Sequence, residues 1–180
     1  VEKHKILKGK IKENNLILAV PSNGIHSNGY SLVRELLKKK KINLNKNKFL
    51  KKELIRPTKI YVKEILDLIN INILNACANV TGGGIKDNIK RIIPNNLCAE
   101  IDLNRISTLK IFKWLKNSGI NENEMLKTFN CGVGFCLIIN KKNLFKIQSF
   151  FPKEYKPYVI GKIINGKKKV KSNGSINWNK

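Results

Sequence analysis

Leu16-Ile17-Leu18-Ala19-Val20 is apolar without interruption and stops at Pro21. That length and continuity suit a buried strand better than an amphipathic helix. Pro21 to Gly29 is rich in turn formers, and Tyr30 to Lys40 then brings Leu32, Val33, Leu36 and Leu37 back at three- and four-residue spacing. Lysines close that segment, where cations offset the negative pole of a helix. The unit predicted is strand, loop, helix. Lys41 to Lys48, rich in Asn and Lys, reads as a surface excursion, and Pro57 as the first turn of a helix running to about Asn70.

A second unit follows the same logic. Asn75 to Val80 approaches the run Thr81-Gly82-Gly83-Gly84, then a short helix spans Lys86 to Ile92 and ends at Pro94. Leu97 to Ile101 reads as a strand, and Leu109 to Asn117 as a helix with Ile111, Phe112 and Leu115 inward and Gly119 as its C-cap. Glu122 to Lys127 adds a turn of helix, Val133 to Asn140 a buried strand, Lys141 to Phe151 a helix and Tyr158 to Ile164 a last strand. The alternation predicts an α/β (α+β layered) domain, with sheet order left open.

With 180 residues, 42% of them hydrophobic, the chain can sustain one core. We expect a single domain over residues 1–180, with 1–15 as a junction to a missing N-terminal domain and 165–180 as a polar tail. The first residue is Val1, and no apolar signal segment or run of membrane-spanning length occurs. The expectation is a piece of a longer, cytoplasmic protein.

A formal net charge of +24 raises nucleic-acid binding. Of the 36 basic residues only Arg34, Arg56, Arg91 and Arg105 are arginine, the residue with the planar fork for bases and phosphates. The lysines are scattered among Asn and Ile, so we expect no specific nucleic-acid partner. Cys77, Cys98, Cys131 and Cys136 form no CxxC pair and lack zinc-site spacing, and neither His4 nor His26 is near one in sequence. The acids Asp67, Asp87, Glu100 and Asp102 assemble no metal site by spacing.

Chemistry concentrates in loops between a strand and a helix, where unpaired amides and the helix dipole favour anions. In the first loop Gly24 and Gly29 permit unusual backbone, Ser22 and Ser27 offer hydroxyls, Asn28 is placed to cap the helix, and His26 titrates near neutrality. Thr81-Gly82-Gly83-Gly84 lets backbone amides approach a ligand, although it is neither a Walker loop nor GxGxxG. Thr128-Phe129-Asn130-Cys131-Gly132-Val133-Gly134 sets a polar amide and two glycines before a strand. Each loop also has a plain reading as a turn or a close-packed bend.

Together, Pro21 to Arg34, Pro57 to Val62, Thr81 to Gly84 and Thr128 to Gly134 closely resemble the AIR synthetase (phosphoribosylformylglycinamidine cyclo-ligase) family in order and approximate spacing. The resemblance runs from about Val1 to Ile164 and covers the family's second half. It implies an AIR synthetase C-terminal-like domain, a mixed sheet packed with helices, paired with an N-terminal domain carrying much of the ATP site and the dimer contact. The implied reaction converts formylglycinamidine ribonucleotide and ATP, with Mg²⁺, to aminoimidazole ribonucleotide, ADP and phosphate in purine biosynthesis.

On the same basis His26 is the candidate for proton transfer or phosphate contact. Ser22, Gly24, Ser27, Asn28, Thr81, Gly82, Gly83 and Gly84 are expected on the substrate and phosphate side, with Asn130 as a further substrate contact and no metal ligand. Rival readings are a selenophosphate synthetase, thiamine-phosphate kinase or formylglycinamidine synthetase of the same superfamily, a Lys-rich nucleic-acid-binding module, and a non-catalytic remnant.

Overall fold

A computed structural model describes residue 7 and residues 9–179. Six strands, β1 (Leu16–Pro21), β2 (Ala76–Asn79), β3 (Leu97–Asp102), β4 (Val133–Ile139), β5 (Tyr158–Asn165) and β6 (Lys169–Asn173), form one sheet in the order β2-β4-β1-β5-β3-β6. Every neighbouring pair is antiparallel except β3 and β6, which run parallel. The sheet is therefore mixed, and seven helices cover it: α1 (Tyr30–Lys39), α2 (Lys48–Leu54), α3 (Val62–Asn70), α4 (Gly84–Ile92), α5 (Lys110–Asn117), α6 (Glu122–Thr128) and α7 (Leu144–Gln148).

β1 is continuously apolar because both of its faces are covered. Ile17 and Ala19 belong to a cluster with Val33 and Leu36 of α1, Ile85 and Ile89 of α4, and Ile111, Phe112 and Leu115 of α5. Leu18 and Val20 point the other way, into a smaller cluster with Ile65 and Leu68 of α3 and Ile147 of α7. β4 divides likewise, Cys136 and Ile138 to the larger cluster and Leu137 and Ile139 to the smaller.

Several elements differ from the sequence expectation. The helix expected from Pro57 begins at Val62, since the Asn23 side chain claims the Pro57 carbonyl and the Lys59 amide and keeps them out of a helical turn. α2 follows the Asn/Lys-rich loop unexpectedly; Asn47 Oδ1 caps it by accepting from Leu50 N at 3.0 Å, and Leu50 is fully buried. The helix expected over Lys141–Phe151 divides into a 3₁₀ turn, Lys141–Asn143, and the short α7. The polar tail contains β6, whose backbone pairs with β3, and Ile176 beyond it is buried. Of the expected junction, residues 1–6 and 8 lie outside the described residues. Asn14 N donates to Ile163 O at 2.8 Å, tying the rest to β5.

Antiparallel pairing of β4 with both β1 and β2 brings three loops to one end of the sheet: those leaving β1 and β2 and the one entering β4. A register shift between Val20 and Pro21 marks where β1 breaks from its ladder and the first loop begins.

Candidate functional site

Asn130 is the hub of these loops. Its Oδ1 accepts from Ser22 Oγ and from Gly132 N, both at 2.9 Å, and its Nδ2 donates to Gly24 O at 2.9 Å and Ile25 O at 3.1 Å. The side chain is 3% exposed and all four of its hydrogen-bonding positions are taken. Expected as a substrate contact, Asn130 instead braces the loop that carries His26. Ser22, 4% exposed, is spent on the same brace.

The glycines separate by the same test. Gly29 has φ +84°, and a Cβ there would collide with the buried ring of Phe129. Gly24 has no positive φ, and an added Cβ would find only an ordinary contact, 3.6 Å from Arg56 Cδ, so the expected backbone requirement falls on Gly29 alone. Gly29 is also the N-cap of α1, without a side-chain capping bond, which corrects the expectation that Asn28 caps this helix. Asn28 Oδ1 instead faces the glycine run, 3.6 Å from where a Gly82 Cβ would stand.

In that run Gly83 and Gly84 have φ of +92° and +65°, Gly84 is buried and Gly82 is exposed. Asn88, one turn into α4, holds the run from below. Its Nδ2 donates to Gly84 O at 2.7 Å and to Thr81 O and Gly82 O at 3.3 Å, and its Oδ1 accepts from Thr81 Oγ1 at 3.1 Å. Thr81 thus shapes the loop, while Gly82 presents backbone toward Asn28. α4 begins at N-cap Gly83, again without a side-chain cap.

His26 is 7% exposed, with φ +62°, a conformation uncommon outside glycine. Its Nε2 lies 3.0 Å from Asn23 Oδ1. Asn23 is itself held by Pro57 O, which accepts from Nδ2 at 2.9 Å, and by Lys59 N, which donates to Oδ1 at 3.3 Å. Tyr61 stands beside the imidazole with ring centroids 6.1 Å apart, and its hydroxyl donates to Pro21 O at 2.8 Å. A Cβ at Gly134 would come 2.8 Å from His26 Cε1, so only glycine lets β4 pass this close. Burial pulls the pKa of His26 down to about 4, leaving it neutral at pH 7. Ser27, on the rim, is exposed, with Oγ 3.1 Å from Thr58 Oγ1.

The structure therefore sets Asn28 against Gly82, with Ser27 exposed on the rim and His26 buried behind it. Ser22, Gly24, Thr81, Gly84 and Asn130 are the frame behind them, with Gly83 at the turn into α4. Sequence reading missed Asn23, Asn88, Tyr61 and Gly134. Their signal was faint: an amide three residues before His26, another seven after Thr81, and two residues inside segments already singled out. The cysteines stand apart as buried or half-buried thiols, free of disulfides; burial pushes Cys136 up to about 12 and Cys77 and Cys131 also upward. Among the described residues no group of three or more His, Cys, Asp or Glu is arranged to hold a metal ion, and no helix is long and apolar enough to cross a membrane.

Residues 12–172 match the family described as AIR synthase related protein, C-terminal domain. The chain belongs to this family. It is 40% identical over 186 aligned positions to the bifunctional purine biosynthetic protein purD of Dictyostelium discoideum, covering 98% of this chain and 23% of that one. It is 39% identical over 171 to a phosphoribosylformylglycinamidine cyclo-ligase of Staphylococcus epidermidis, covering 91% and 50%. Thiamine-monophosphate kinase from Stenotrophomonas maltophilia K279a superposes with a TM-score of 0.63 at 16% identity, covering 93% of this chain and 52% of that one. The chain thus spans about half the length of the Staphylococcus cyclo-ligase it matches, and its fold is shared with a kinase.

Proposed function

We propose that this chain is the C-terminal half of a phosphoribosylformylglycinamidine cyclo-ligase acting in purine biosynthesis, with its ligand cleft at the His26, Asn28 and Gly82 end of the sheet. The observation that carries the reading is the 39% identity to a protein of that name over 91% of the chain. The 16% identity to a thiamine-monophosphate kinase supports a common fold and gives no second function.

The reaction closes a ring within formylglycinamidine ribonucleotide at the expense of ATP. A formamide oxygen is a poor leaving group, and transfer of the terminal phosphate to it, with ADP departing, makes it a good one. An amidine nitrogen then attacks the same carbon: a C–N bond forms, the C–O bond breaks, phosphate leaves with the electron pair, and the nitrogen sheds a proton. A protein serving these steps must position two reactants and offer dipoles to the moving charge. The exposed Gly82 backbone and the Asn28 amide are fitted to phosphate oxygens. Neutral His26, with Nε2 engaged by Asn23, is fitted to accept a proton rather than to bind phosphate as a cation.

ATP and Mg²⁺ both enter this reading with the resemblance. The described residues contain no ready-made carboxylate or imidazole cluster for the ion, so no step is routed through it. The homodimer, the cytoplasmic location and an N-terminal domain carrying much of the ATP site belong to the proposed whole protein. The test joins this chain to the N-terminal half of the Staphylococcus epidermidis enzyme and measures ADP release dependent on formylglycinamidine ribonucleotide. Release that is lost in His26→Ala supports the reading; a folded joined protein without release counts against it.

A further inference from the structure

The Asn23 side chain has only one orientation consistent with its neighbours. Pro57 O is purely an acceptor, so the atom 2.9 Å from it must be the amide nitrogen; Lys59 N–H is purely a donor, so the atom it approaches must be the amide oxygen. That same oxygen faces His26 Nε2 at 3.0 Å, and an amide oxygen accepts without donating. Nε2 must therefore carry a hydrogen, which in a neutral imidazole leaves Nδ1 bare. Nδ1 has no hydrogen-bond partner among the described residues, and it is not among the buried side-chain atoms left unpartnered, which are Thr108 Oγ1 and Trp178 Nε1. A residue 7% exposed thus keeps its basic nitrogen in reach of solvent.

We propose that Asn23 is a positioning residue that fixes the tautomer of His26, so that Nδ1 is the atom offered to the ligand and segment 57–61, which leads into α3, is the clamp that fixes Asn23. The chain of support is continuous. Arg56 donates to Asn23 O at 2.7 Å, Pro57 and Lys59 hold its amide, and Tyr61 flanks the imidazole while its hydroxyl holds Pro21 O, where the loop begins. The charged and titratable groups of this clamp are accounted for. Lys59 Nζ lies 3.0 Å from Glu64 Oε1, Arg56 pairs with Glu53, and burial raises the Tyr61 hydroxyl, so none competes for the proton on Nε2. Segment 57–61 thereby acquires a role that explains why it stays outside α3 where its proline would admit a helix.

This assignment deepens the proposed cyclo-ligase reading and rests on it only for what Nδ1 does. In ring closure the proton shed by the attacking nitrogen passes to Nδ1, and the resulting imidazolium keeps its Nε2–H on Asn23 Oδ1. A protein with the opposite tautomer would present a hydrogen where a lone pair is needed.

The tautomer is directly measurable by long-range ¹H–¹⁵N correlation of the ¹⁵N-labelled chain at pH 7. His4 and His26 are its two histidines, so His26→Gln identifies the relevant signals. We expect a protonated Nε2 and an unprotonated Nδ1 in the unaltered chain, a mixture of tautomers in Asn23→Ala, and restoration of the first pattern in Asn23→Asp with the imidazole titrating at higher pH. A hydrogen on Nδ1 in the unaltered chain overturns the proposal without any variant. So does an Asn23→Ala spectrum that matches the parent. In the joined enzyme Asn23→Ala should lower kcat at least tenfold with KM changed less than threefold. If the tautomer is as stated but the joined enzyme does not cyclise substrate, the function is refuted and the tautomer assignment stands.

Discussion

Replacing Asn130 by Asp changes one NH₂ to an oxygen and almost nothing in shape, yet it should be among the most damaging substitutions in the chain. One carboxylate oxygen inherits the bonds from Ser22 Oγ and Gly132 N. The other lies where Nδ2 was, 2.9 Å from Gly24 O and 3.1 Å from Ile25 O, three acceptors with no hydrogen between them. The folded state can bind a proton, but a single O–H serves only one of the two carbonyls. The other stays buried and unpaired, at a cost of about 1–3 kcal/mol. Keeping the carboxyl protonated at pH 7 adds about 1.4 kcal/mol for each pH unit above the ordinary carboxylate range. The sum is a loss of roughly 5–7 kcal/mol, comparable to the whole ~5–15 kcal/mol typical of a domain.

The sign with pH is equally specific. The folded state of Asn130→Asp binds a proton more tightly than the unfolded state, so stability relative to the parent recovers as pH falls from 7 toward 4. Urea unfolding followed by tryptophan fluorescence at pH 7 and pH 5 measures both effects, with Asn130→Ala as the companion whose loss relative to the parent stays the same at the two pH values. A loss under about 0.5 kcal/mol at pH 7, or one that grows on acidification, would refute the bracing role and return Asn130 to the ligand side.

Two further outcomes follow from the site. Gly29→Ala combines a left-handed backbone with a collision on Phe129 and should cost about 2–4 kcal/mol, whereas Gly24→Ala should change stability by less than about 0.5 kcal/mol; paired urea curves check the contrast. His26 has a folded pKa of about 4 against an ordinary 6.5, so between those values the unfolded state binds more protons, and lowering pH across this window destabilises the chain. Because part of the ring reaches solvent, the loss relative to His26→Gln should be on the order of 1–3 kcal/mol, and equal pH dependence of the two proteins would contradict it.

How far the sequence can be read depends on where the signal is local. The apolar run of β1 and the three- and four-residue spacing in α1 each report burial by the chain's own pattern, and both elements formed where that pattern put them. Pro57 carries an equally local signal for a helix start, but the helix waits until Val62 because Asn23, more than thirty residues earlier, claims the backbone of Pro57 and Lys59. β6 was hidden because Lys169, Lys171 and Asn173 alternate with only Val170 and Ser172, a polar edge strand whose partner lies far away in sequence. At these loops, residue types did not separate the buried frame from the exposed groups. Ser22 and Asn130 look like ligand-binding chemistry until the 2.9 Å bond between them is seen. Asn23 and Asn88 are two asparagines in a chain full of them, distinguished only by what they hold.

We propose that the end of the sheet carrying His26, Asn28 and Gly82 serves ring closure of formylglycinamidine ribonucleotide. Its most direct test is aminoimidazole ribonucleotide formation, with stoichiometric ADP release, by this chain joined to the N-terminal half of the Staphylococcus epidermidis cyclo-ligase it matches. We expect turnover in the joined protein and at least a hundredfold loss in His26→Ala with the fold intact. A folded joined protein that forms no aminoimidazole ribonucleotide, or one that turns over equally well without His26, would contradict it.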